Sequence, residues 1–117
     1  MNCVRTVPAV RELHETYGGR GLLVLGVHSP EFDHERDAAN VRREIARQGI
    51  PFPVLIDNDF AIWKSFGNSY WPALYLIDRE GIVRWAHAGE LHRATPAWKK
   101  LAALIEDLLP PPAPRDP

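Results

Sequence analysis

Phe66-Gly67-Asn68-Ser69-Tyr70-Trp71-Pro72 runs directly into Ala73-Leu74-Tyr75-Leu76-Ile77, and the reading of this junction decides the fold. Gly67-Asn68 is a helix stop, because glycine and asparagine accept the left-handed backbone that closes a helix. The five apolar residues after Pro72 read as a strand, and Pro72 stands at its first position, where a missing N–H costs no ladder bond. Asp78-Arg79-Glu80-Gly81 then turns the chain into Ile82 to Ala88, which predicts an antiparallel hairpin.

Upstream of the junction, Asp57-Asn58-Asp59 supplies a cap for a short amphipathic helix carrying Phe60, Trp63 and Phe66. The same triplet could suggest calcium. An EF-hand loop, however, needs glycine at its sixth place and glutamate at its twelfth, and those places hold Ile62 and Asn68. Val54-Leu55-Ile56, bracketed by Pro51 and Pro53, reads as a short strand at a sheet edge. Leu22 to Val27 is a continuous apolar run, the pattern of a parallel strand covered on both faces, and is expected to be central.

Helices complete the order. Val7, Val10, Leu13, His14 and Tyr17 recur at helical spacing before Gly18-Gly19, predicting a helix over residues 4 to 17. Asp33 is expected to cap a second helix bearing Ala38, Val41 and Ile45 and ending at Gly49. Thr95-Pro96 is an N-cap and first-turn pair for a last helix along Trp98, Leu101, Ala102, Ile105, Leu108 and Leu109, broken at Pro110. The order predicts an α/β fold, a mixed sheet with one antiparallel hairpin and helices on both faces. Residues 1–109 are expected to form one domain and 110–117 a disordered Pro-rich tail.

Composition narrows the function. At 117 residues, 45% hydrophobic and 25% charged, the chain can bury one ordinary core. A net charge of -1 gives no basic footprint for nucleic acid. No apolar run approaches the roughly 18 to 20 residues of a membrane span, and the start lacks a signal peptide, so a cytoplasmic location is expected unless a longer precursor begins upstream. His14, His28, His34, His87 and His92 show no close pair of metal-ligand spacing. No cofactor or metal is expected.

Three stretches together resemble the thioredoxin-like fold, and within it the redoxin branch of TlpA-like and DipZ-like thiol-disulfide oxidoreductase domains. They are Cys3-Val4-Arg5-Thr6-Val7-Pro8, Gly26-Val27-His28-Ser29-Pro30-Glu31-Phe32, and Asp57 to Asp78. The resemblance covers residues 1 to about 90. It implies that Cys3, the single cysteine, holds the second place of a C-x-x-C motif whose first place falls immediately before Met1. A helix N-terminus suits such a motif because unpaired N–H groups and the helix dipole stabilise thiolate, lowering a thiol pKa from about 8.5 towards 7 or below. Cys3 would be the resolving thiol, which attacks the mixed disulfide. Read from composition alone, a lone cysteine is more often a small buried hydrophobe.

The resemblance also implies a cis Trp71-Pro72 bond facing the cysteine, with the Trp71 backbone, beside Tyr70, pairing with a bound peptide like an added strand. His28 and Glu31, on a loop after a strand, are weaker candidates for the cleft. The implied partners are protein thiols and disulfides or an extended peptide. One cysteine cannot complete an intramolecular dithiol cycle, so little reductase turnover is expected, and a redox-inactive peptide-binding module is the alternative. Peroxide attack by Cys3 is disfavoured, since the threonine context it would need must lie before Cys3 and only two residues do. In the resembling fold a further strand lies between those that here are Leu22–Val27 and Ala73–Ile77. Without it, open sheet edges are expected, favouring either a longer natural protein or self-association.

Overall fold

The computed structural model describes the backbone of residues 2–69 and 71–110, and within these the side chains from Arg5 onward. The elements are α1 (Asn2–Tyr17), β1 (Gly26–His28), α2 (Ala38–Gln48), β2 (Val54–Ile56), α3 (Ala61–Ser65), β3 (Ala73–Ile77), β4 (Val83–Ala88) and α4 (Pro96–Leu108). Residues 111–117 of the expected tail lie outside the described residues.

The order matches the sequence pattern, and most boundaries follow from local chemistry. Gly49 closes α2 in the left-handed region (φ 62°), as its position after the apolar face requires. The Thr95 hydroxyl accepts from the Trp98 N–H (3.3 Å) at the head of α4, with Pro96 in the first turn. At the hairpin turn Asp78 Oδ1 accepts from the N–H groups of Glu80 and Ile82.

Two boundaries differ. Asp33 opens a 3-10 turn, Asp33–Arg36, and Asp37 caps α2 by accepting from the Ala39 N–H (2.8 Å). The buried Glu35 carboxylate is the reason: its Oε1 accepts from the N–H groups of Glu31 and Phe32, folding the segment back before a helix can begin. The second difference is at Leu22–Val27, where only Gly26, Val27 and His28 enter a ladder. Leu23, Leu25 and Val27 are 71%, 51% and 44% exposed, so this strand is covered on one face only.

The ladders form two separate pairs. β1 runs parallel to β2, with Val27 opposite Leu55, and β3 runs antiparallel to β4, with Leu74 opposite His87 and Leu76 opposite Trp85. No hydrogen-bonded ladder joins β1 to β3 among the described residues. The core sits on one face of the β3–β4 pair. Ala9, Leu13 and Tyr17, spaced four apart on α1, meet Leu101 and Ile105 of α4 around Leu76 and Leu91, with Leu74 and Trp85 packed against them. α1 and α4 thus close the hairpin half of the molecule.

Candidate active site

Cys3 lies in the first turn of α1, where the helix leaves its leading N–H groups without intrahelical partners. Thr6, one turn further, is 5% exposed, and its Oγ1 accepts from the Leu91 N–H (3.1 Å). Pro8 lies within α1 and removes the N–H that would have bonded to the fourth residue back.

The segment Gly89-Glu90-Leu91, which follows β4, links this helix to the proline loop. Gly89 N–H donates to the Pro72 carbonyl (2.8 Å), while Leu91, 1% exposed, is held on Thr6. Gly89 has φ 100°, a backbone that disfavours any side chain, which is why glycine stands there. The Trp71–Pro72 bond is cis, as the family resemblance implies. Tyr70 lies outside the described residues.

Trp71 also ties the two strand pairs together. Its indole Nε1 donates to the Ser29 carbonyl (2.8 Å), just past β1, and its ring stacks on Trp63 of α3 at 4.0 Å. Ser29 in turn donates its hydroxyl to Asp57 Oδ2 (2.8 Å). Asp57, 3% exposed, also accepts from the N–H groups of Ile62 (3.0 Å) and Trp63 (2.9 Å), so one carboxylate caps α3 and fixes the Ser29 loop. Burial works against the charged form, but these hydrogen bonds outweigh it and hold the Asp57 carboxyl below its ordinary range. Among the described residues, the backbone N–H and C=O of Trp71 have no hydrogen-bond partner.

His28 and Glu31 belong to the neighbouring loop in a different way. His28 Nε2 donates to the Glu35 carbonyl (2.8 Å), a bond that holds the loop, and Glu31 takes part through its N–H while its side chain is exposed. The arrangement therefore links Pro72 to Thr6 of α1 through Gly89 and Leu91 and leaves the Glu31 side chain exposed. Ser29, Asp57, Gly89 and Glu90 were not singled out by sequence as parts of one cluster. Asp57 carried a usable signal, since it stands directly after a strand, at the edge where α/β folds collect functional groups. A cavity of about 390 Å³ beside the junction is floored by Ala73, Tyr75 and Ala86 and rimmed by Asn68 and Ser69. It lies on the face of the hairpin opposite Leu74, Leu76 and the α1–α4 core.

Comparison with known proteins agrees with this geometry. Residues 1–86 match the family model described as the AhpC/TSA family. The chain is 43% identical over 90 residues to the protein DipZ of Mycobacterium bovis, covering 77% of this chain and 13% of DipZ. It is 32% identical over 87 residues to the thiol-disulfide oxidoreductase YkuV of Bacillus subtilis, covering 74% of this chain and 58% of YkuV. The crystal structure of a thiol-disulfide isomerase from Corynebacterium glutamicum superposes with a TM-score of 0.78 at 25% identity, over 92% of this chain and 72% of that one. The chain thus spans a minor part of DipZ and just over half of YkuV. The fold is thioredoxin-like. No described helix is long and apolar enough to cross a membrane.

Proposed function

Because this chain belongs to the AhpC/TSA family, as a redoxin domain of the thiol-disulfide oxidoreductase kind, we propose that it exchanges disulfides with protein substrates through Cys3. Cys3 acts from the resolving position, and Trp71 with Pro72, flanked by Tyr70, holds an extended stretch of the substrate. The observation that supports this reading is the segment 89–91, which bonds to Pro72 through Gly89 and to Thr6 of α1 through Leu91. The Trp71 backbone, without a partner among the described residues, can take a peptide strand by main-chain hydrogen bonds.

A single thiol accepts one disulfide partner and stops. In an insulin-reduction assay with dithiothreitol, the chain is expected to show no rate above a Cys3→Ser control. With an oxidised peptide it is expected to form one mixed disulfide, seen as a single mass adduct that Cys3→Ser abolishes. Absence of the adduct leaves the second reading, a peptide-binding module without exchange. That reading draws on the same Trp71 backbone, unpartnered among the described residues, and is supported if the peptide binds the Cys3→Ser chain equally well.

The open apolar strands support a further element of the proposal. Leu23, Leu25, Val27, Leu55 and Ile56 are all more than two-fifths exposed on the β1–β2 side, and exposed strands of this kind template pairing between chains. The isolated chain is expected to self-associate, giving a sedimentation coefficient that rises with concentration; a monomer at every concentration would remove this element.

A further inference from the structure

The half-buried Trp71 indole is held at its edge and on its face by two different parts of the chain. The Ser29 carbonyl, just past β1, accepts its Nε1–H (2.8 Å), and the Trp63 ring of α3 stacks on it with centroids 4.0 Å apart. One oxygen holds both of these partners. Asp57 Oδ2 accepts from the Ser29 hydroxyl (2.8 Å) and from the Trp63 N–H (2.9 Å), while Oδ1 accepts from the Ile62 N–H (3.0 Å).

Each member of this clamp is fixed in turn. Asp57 is 3% exposed, and its own N–H donates to the His28 carbonyl (2.8 Å). Ser29 is buried, and the buried Pro30 that follows disfavours helical backbone at Ser29. Trp63 meets the Phe60 ring edge-on at 6.4 Å, with the Arg36 guanidinium over Phe60 at 5.8 Å. Capping α3 alone would not call for such burial. The exposed Asp59 already accepts from the Ala61 N–H (3.2 Å) at the same helix start, and a carboxylate taken out of water must recover its hydration through hydrogen bonds. What burial adds at Asp57 is the bond to Ser29, and through it the hold on Trp71.

The Trp71 side chain is thus fully engaged, whereas its backbone N–H and C=O have no partner among the described residues. We propose that Asp57 and Ser29 are positioning residues for substrate: by clamping the indole they fix the direction in which the Trp71 main chain faces, so that a peptide strand meets donor and acceptor already in place. Neither residue touches the peptide. Binding is strengthened because the ordering of the loop is done before the peptide arrives. This role rests on the peptide-holding reading proposed above.

A clamp that acts through the Trp71 main chain leaves a signature that general loosening of the fold does not. Its loss matters only to a peptide able to use that main chain. The test is calorimetric binding of two extended peptide disulfides, one plain and one methylated at the amide nitrogens beside its cysteine, to chains that all carry C3S, with and without S29A or D57N. With the clamp intact, the plain peptide should bind more tightly than the methylated one. S29A and D57N should each weaken the plain peptide about tenfold, the factor that goes with losing about one well-placed hydrogen bond. They should weaken the methylated peptide much less, because substitutions acting on the same bonds are not additive. Equal weakening of both peptides, or none of either, overturns the role of Asp57 and Ser29 while leaving peptide binding intact. A C3S chain that binds the two peptides equally well, or binds neither, overturns the Trp71 main-chain reading and this inference with it. Should D57N fail to fold, S29A, which removes a single hydroxyl, decides by the same comparison.

Discussion

The two strand pairs of this chain carry similar apolar sequences and end in opposite states. β3–β4 is covered on one face by α1 and α4, and its Leu76, with Leu91 beside it, is buried. β1–β2 has an equally apolar face in Leu23, Leu25, Val27 and Leu55, and that face is open. Apolar composition proposes a buried strand, but burial requires a partner element in place. The helices that supply one, α1 and α4, both serve the hairpin half. What joins the halves near the site is Trp71, which donates to Ser29 and stacks on Trp63, while Ser29 donates to Asp57.

Cutting into the closed half should produce the largest effect. Leu91→Ala removes a side chain that is 1% exposed and should lower stability by about 2–5 kcal/mol in denaturant titration, the range for deleting a well-packed leucine. A loss below about 0.5 kcal/mol would mean that this half is not the core. Asp57→Ala should come next, at about 2–3 kcal/mol, because it leaves the N–H groups of Ile62 and Trp63 and the Ser29 hydroxyl without their acceptor. Its effect should also reach the site, read as altered Trp71 fluorescence.

The same carboxylate predicts the direction of the acid response. Its hydrogen bonds hold the folded carboxyl below its ordinary value, so the stability it adds is present above the unfolded value, about 3.9. That contribution is lost as pH falls from there through the lower folded value. Asp57→Ala should flatten this part of the stability profile, and an unchanged acid slope would contradict the assignment. Thr95→Ala, which removes the cap of α4, should cost about 1 kcal/mol. The smallest change belongs to the open half. Leu25→Ser, at a residue 51% exposed, should move stability by no more than about 0.5 kcal/mol while weakening self-association in sedimentation.

Legibility in the sequence followed the same division. The hairpin, the Asp57 and Thr95 caps and the Gly49 stop rest on local backbone chemistry, and each is found where its residues placed it. The misplaced start of α2 came from a side chain acting at short range. Glu35 captures two N–H groups, and nothing about an isolated Asp33 or Asp37 shows which of them will cap. The overestimate of Leu22–Val27 was non-local, since a continuous apolar run reports what a strand could bury and not what lies beside it. At the site, the cis Trp71–Pro72 bond was legible through the family resemblance, from its place between helix and strand. The link through Gly89 and Leu91 was not legible, because it consists of bonds to residues distant in sequence.

The central claim is that the fold equips Cys3 to exchange with a disulfide held against Trp71 and Pro72. Its most direct test is the rate of mixed-disulfide formation between the chain and an extended peptide carrying a disulfide, measured folded and again unfolded in urea. The account predicts a faster reaction in the folded chain, with a rate that saturates as peptide concentration rises. A folded chain that reacts more slowly than the unfolded one, without saturation, would contradict it and leave Cys3 a packing residue.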